Sequence, residues 1–297
     1  MKYKLLYPIL IIIASSSYGI LSTIVKVAMN HGYTSAEATA SQYVIGFFLA
    51  LILFLITQRK LPKISRSGLI FIIFAGLCTG TTGIVYNQSL NYLPASLAVV
   101  LLFQFTWIGM LIDCLLRKRL PSRPQVFALV FLFLGTIFAA GIIDVDLSSI
   151  PWQGWVFGLS SAVSFSIFIQ FNSRPVEGVS TITRTLLMSF FAVLLISLFT
   201  SPEIIWNGKL FGSELLIFGL ILGVFGIILP ILLFSIAAPK VGGGLTSILS
   251  AMELPVAIFA SVIVLGETLT FLQVMGIVLV IIGMVLPTVL AQRKKSV

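Results

Sequence analysis

The sequence predicts an all-α integral membrane protein, with ten transmembrane helices in two inverted five-helix repeats. Three observations carry that expectation. Of 297 residues, 59% are hydrophobic and only 9% charged, against roughly one quarter charged in soluble domains. The charges fall between uncharged stretches at 5–25, 38–58, 67–112, 124–143, 147–173, 185–202, 215–239 and 268–292. Glycine and aromatic motifs recur in the same order in both halves. A disordered chain is excluded by the mass of apolar side chain. In lipid only helices or closed barrels satisfy the backbone, and these segments are too long and too uniformly apolar for the alternating ~10-residue strands of a barrel.

The first helix is expected at 7–28. Lys2 and Lys4 followed by an apolar run and Ala14-Ser15-Ser16 resemble a secretory signal peptide. Apolar sequence continues to Val27, so the segment is read as retained. The second helix, 36–57, ends at the basic Arg59-Lys60. The third and fourth, 68–90 and 95–116, share one uncharged stretch and are divided by the polar turn Asn91–Pro94. The fifth, 124–143, lies between Arg123 and Asp144, and the sixth, 153–173, between Asp146 and Arg174. The seventh is placed at 181–200, and the eighth, 214–237, stops before Lys240. The ninth, 244–265, holds a single charge, Glu253, and the tenth, 270–291, ends at Arg293-Lys294-Lys295. The first repeat is then 1–143 and the second 144–297.

Basic residues favour the cytoplasmic side of a membrane. An inside N-terminus puts 16 of the 18 there, leaving Lys26 and Lys209 outside. The net charge of +9 is therefore a topology signal in a chain that meets a lipid bilayer, and nucleic acid is not an expected partner. Gly76-x3-Gly80-x2-Gly83 in the third helix returns as Gly219-x3-Gly223-x2-Gly226 in the eighth. Gly46-Phe47-Phe48 matches Ser189-Phe190-Phe191, Ser17-Tyr18-Gly19 matches Ser164-Phe165-Ser166, and Gln125 and Gly135 match Gln273 and Gly283. Five helices per half is an odd number, so the second half crosses in the opposite sense, a frequent plan of secondary transporters with the solute site near the midplane.

Polar residues in lipid mark the candidates. Glu253 lies near the middle of the ninth helix, where an ionised side chain costs ~3 kcal/mol on insertion scales. It is expected to face the bundle interior or a wet cavity. There it either binds solute or proton or bonds the Ala251 carbonyl that Pro255 leaves free. Gln104, beside Thr106 and Trp107, holds the matching place in the fourth helix within one residue. Tyr86 and Asn87 close a polar run in the third. Tyr18, Ser22 and Lys26 share a face of the first; Lys26 either snorkels outward or, turned inward, attracts a carboxylate. Ser164 of the sixth helix meets solute or bonds a neighbouring helix. Pro230, which frees the Gly226 carbonyl, and Pro255 are candidate kinks or hinges.

Glu253-Leu254-Pro255, Leu265-Gly266-Glu267, Gln273-x2-Gly276 and Gly283 together resemble the core of the EamA family within the drug/metabolite transporter superfamily. Asn91 to Ala98 is similar to that family's junction between third and fourth spans. The resemblance implies a carrier of small polar metabolites, often an exporter of amino acids or related compounds from bacteria; the expected location is the plasma membrane, and the Lys and Arg bias puts both termini in the cytoplasm. In the first repeat Arg117-Lys118 stands in place of the family's Gly-Glu, and Thr106 where a proline is common.

Other classes fit less well. The single histidine, His31, falls in an expected loop and permits no His-x3-His pair. Cys78 and Cys114 form neither a disulfide framework nor a metal-ligand pattern. No enzyme activity, cofactor or metal is expected. The expected partners are a small solute and protons as a coupling ion, with a channel as the alternative to a carrier. Composition sets no oligomeric state.

Overall fold

The computed structural model describes residues 3–93, 95–141, 150–199, 203–211 and 214–293. Pro94, Lys2, Lys294, Lys295 and the expected boundary between the repeats at 143 and 144 lie outside them. The described residues are all helix, turn and loop, with no strand.

The first three helices are unbroken: α1 (Tyr3–Asn30), α2 (Ser35–Thr57) and α3 (Arg66–Ser89). The fourth expected helix is two, α4 (Ala95–Leu102) and α5 (Phe105–Arg117), and α6 (Arg123–Ala140) follows. The second half holds α7 (Trp152–Asn172), α8 (Thr181–Phe199) and a short α9 (Glu203–Trp206). The eighth expected helix is α10 (Leu215–Gly223), a π segment (Val224–Ile228) and α11 (Leu229–Val241). The ninth is α12 (Gly243–Leu249), a 3-10 turn (Ser250–Met252) and α13 (Glu253–Leu265), and α14 (Phe271–Arg293) closes the chain. Eight segments are long and apolar enough to cross a membrane, and two shorter apolar helices, Arg123–Ala139 and Phe271–Pro287, occupy the fifth and tenth places.

Three expected continuous helices are thus interrupted, each for a local reason. Pro230 has no N–H for the Gly226 carbonyl, so the chain widens into the π segment, where the Leu229 N–H reaches Val224 O. Ser17 of α1 donates to the Phe225 carbonyl in that segment at 2.9 Å. Pro255 likewise has no N–H for Ala251, and the 3-10 turn lies just before it. In the fourth span the Gln104 side chain takes the Val100 carbonyl at 2.8 Å, and the backbone tightens to i→i−3 bonding at Gln104 and Thr106. The breaks before Phe105 and before Glu253 fall at matching places in the two repeats.

Helix starts repeat as well. Ser122 and Gln125 form a capping box at α6, and Thr270 and Gln273 bond in the same way at α14. The matched glutamines are therefore both capping residues.

Most helix contacts keep their pattern when the halves are exchanged; the one between α5 and α12 does not. α1 lies on α11 and α13, as α7 lies on α3 and α5; α2 lies on α10 as α8 lies on α3; and α6 packs on α14, α5 on α12 and α2 on α8. The glycines mark these crossings. A Cβ on Gly135 would meet Gly276 O at 2.9 Å and Val280, and one on Gly283 would meet Ala128 O at 3.0 Å and Leu132. Counted from Gln273 and Gln125, Gly276 matches Ala128 and Val280 matches Leu132. Close backbone approach at small residues holds helices together in lipid, where no hydrophobic force does so.

Candidate functional site

Glu253 is the first residue of α13, immediately after the 3-10 turn. α1 crosses α13 at this level so closely that a Cβ on Gly19 would collide with the Glu253 carbonyl. Gly19 thus brings its neighbour Tyr18 to the carboxylate. The Tyr18 and Tyr86 phenols lie within electrostatic reach of Glu253, and Tyr43 within reach of Tyr18. Glu253, Tyr18 and Tyr86 are each half-buried within the bundle. Among the described residues no basic side chain pairs with Glu253.

The remaining candidates are placed elsewhere. Gln104 is spent locally, donating to Val100 O and accepting from Trp107 Nε1 at 2.7 Å. The Trp107 ring is 43% exposed and lines a shallow groove of about 380 Å³ with Leu129 and Phe133 of α6. These two form a clip over the helix break and are not gathered around Glu253. Asn87 binds α3 to α2, donating to Thr39 Oγ1 at 3.0 Å and accepting from Ser35 Oγ at 3.2 Å. Ser164 donates to the Cys78 carbonyl at 2.9 Å, joining α7 to α3. It also borders a groove of about 560 Å³ with Thr81 and Ser160 on the bundle flank.

Lys26 is paired with Glu267, beyond the end of α13. Two further contacts lie at the same end, the ion pair Lys209–Glu37 at 2.5 Å and a hydrogen bond between His31 Nδ1 and Glu214 Oε2 at 3.0 Å. Each joins a residue of the first half to one of the second.

Sequence reasoning missed Asp113. It is 2% exposed in α5 and receives Arg117 Nε at 2.8 Å and Arg119 Nη2 at 3.0 Å. Arg117 also lies against Gly242, and Asp113 against Gly244, so the cluster fixes α5 to the start of α12. The i,i+4 spacing of Asp113 and Arg117 was the available signal. Removing one partner of a fully buried pair costs roughly 3–5 kcal/mol. Both guanidinium groups here are half exposed, so Asp113→Asn is expected to cost about 1–2 kcal/mol, read as a lower thermal midpoint in detergent. Arg184 was also missed as a buried group; it caps α7, donating to Phe171 O at 2.9 Å and Arg174 O at 3.0 Å.

Two like halves, helices broken at matching places and a carboxylate enclosed at one break define a multi-pass membrane transporter. The family model described as the EamA-like transporter family matches the chain twice, over residues 5–141 and 152–289, and the chain belongs to that family. The threonine/homoserine exporter RhtA, from two strains of Salmonella typhimurium, is 24% identical over 261 residues, 87% of this chain and 83% of the relative. A crystallographically solved protein of 15% identity superposes with a TM-score of 0.73 over 99% of both chains, a likeness of fold alone.

Proposed function

We propose that the protein is a secondary carrier that exports a small polar metabolite of the amino acid or related class by alternating access. Ten spans cross the bacterial plasma membrane as two inverted repeats divided near residues 143 and 144. Both termini lie inside, because that orientation puts most basic residues in the cytoplasm. The observation that carries this reading is Glu253, an acid with accessible surface at a helix break between the halves. RhtA, an exporter, supports the direction. The test is purified protein in liposomes loaded with a broad metabolite panel: Glu253-dependent efflux is expected, and its absence across the panel removes the proposal. Counterflow separates a carrier from a channel, since only a carrier exchanges labelled for unlabelled solute against a gradient. Protons are the proposed coupling ion; flux indifferent to an imposed pH gradient leaves facilitated diffusion instead.

In this reading the two ion pairs and the His31–Glu214 hydrogen bond between the halves close the outer side. Glu267 lies outside the spans. The hydrogen bond from Lys26 holds its carboxyl below the usual carboxylate range, against burial and with help from Ser261. Because that value is lowered, the closing contribution is whole above the ordinary carboxylate range and is lost as pH falls through the lowered value. Spin labels at Met29 and Thr268 are expected to separate on acidification, and Glu267→Gln to give the wider separation already at neutral pH. An unchanged distance in both tests would contradict the latch.

A further inference from the structure

We infer that the groove between α5 and α6 binds an anionic phospholipid, with one acyl chain lying in the groove and the phosphate held by Lys118 and Arg123. Such a site requires only that the chain spans a membrane, whatever its solute.

The groove has the depth of one leaflet. α6 leans on α14, where Gly135, Gly276 and Gly283 let the two backbones meet, and touches α5 only sparingly. The space left between α5 and α6 is the groove of about 380 Å³, within the roughly 300–1,000 Å³ usual for small-molecule sites. It runs along α6 from Val126 through Val130 and Phe133 to Leu134, with Trp107 of α5 at its deep end. Leu134 is eleven residues from Arg123, and Trp107 ten from Arg117. At about 1.5 Å per residue both lie roughly 15–17 Å from the basic end of their helix, half of a ~30 Å hydrocarbon core. Val126, Val130, Phe133 and Leu134 are exposed apolar side chains, and Trp107 Nε1 is already given to Gln104. The groove therefore suits a hydrocarbon chain.

The mouth of the groove is positive. Between Leu111 and Val130 stand four basic residues, Arg117, Lys118, Arg119 and Arg123, against one acid, Asp113. Asp113 is buried and taken by Arg117 and Arg119. Lys118 and Arg123 are exposed and, among the described residues, have no acidic partner. The start of α6 is closed by its own capping box of Ser122 and Gln125, so binding at the mouth falls to these two cations. Lys118 also sits against backbone preference. It ends α5 in the left-handed conformation, φ 50°, where a side chain crowds the following carbonyl and glycine does not. Counted back from Gln125 and Gln273, its match is Gly266, which ends α13 with φ 70°. Arg119 then matches Glu267, one residue along from the pairing the motif suggests. The first repeat thus carries two cations where the second has Gly-Glu. Basic clusters beside a membrane helix attract anionic headgroups, whereas a zwitterionic headgroup brings its own cation to the mouth.

The test reads Trp107 fluorescence in the full chain, reconstituted in phosphatidylcholine vesicles that contain lipid brominated on one acyl chain. The Trp107 signal is the difference between the chain and its Trp107→Phe variant. Brominated phosphatidylglycerol is expected to quench it at a mole fraction at least about fivefold lower than brominated phosphatidylcholine needs, and high salt to erase most of that difference. Lys118→Gly combined with Arg123→Gln is expected to abolish the preference. The same pair should leave the thermal midpoint in neutral detergent unchanged or higher, since glycine suits the left-handed cap. Equal quenching by the two lipids overturns the inference, as does a preference that survives the substitutions or high salt. Displacement of the brominated lipid by soluble glycerol phosphate would make the mouth a site for free phosphate and overturns it as well.

Discussion

Glu253→Gln is expected to reduce solute flux by about 100-fold or more while leaving the protein folded. Truncating one partner of a desolvated charge pair costs roughly 2–5 kcal/mol, and each 1.4 kcal/mol is about tenfold. In the resting protein the same change is mild. Among the described residues no basic side chain is left unpaired by it, and no side-chain hydrogen bond is lost. An amide also enters lipid more readily than a carboxylate. The expected signature is therefore lost transport with an unchanged or raised thermal midpoint. Loss of folding together with flux would assign Glu253 to the scaffold.

The largest structural effect is expected at Gly276. Its added Cβ would strike Ala139 N and the Gly135 carbonyl, both backbone atoms. No flexible side chain end is available to move aside. Overpacking of a close-packed core costs typically 1–3 kcal/mol, occasionally more, and here α14 must separate from α6. Gly276→Val should lower the thermal midpoint sharply and reduce yield from the membrane. Val278→Leu, on the exposed face of the same helix, should leave both unchanged.

Charge gaps located every long helix within a few residues, because a membrane penalises charge wherever it falls along a span. The repeat was legible for a similar reason: Gly135 and Gly283, or Gln125 and Gln273, are held in place by backbone contact and by capping. The breaks were less legible. Pro230 and Pro255 announced two of them, but the break at Gln104 depends on a side chain choosing the Val100 carbonyl. The site was legible only in part. A polar residue in a span either bonds a nearby carbonyl or faces solute, and Ser164, Asn87 and Gln104 take the first course. Ion pairs such as Lys26–Glu267 join residues at opposite ends of the chain, and only folding brings them together.

Transport of the proposed kind requires an aqueous path to Glu253. In a chain carrying Cys78→Ser and Cys114→Ala, a cysteine is placed at Glu253 and, separately, at the outward-facing Phe259. A charged, membrane-impermeant thiol reagent is expected to label the Glu253→Cys site, to be slowed by transported solute, and to leave the Phe259→Cys site to lipid-soluble maleimides alone. If the Glu253→Cys site refuses the charged reagent and reacts only with the lipid-soluble one, the carboxylate faces no aqueous path and the transport mechanism built on it is wrong.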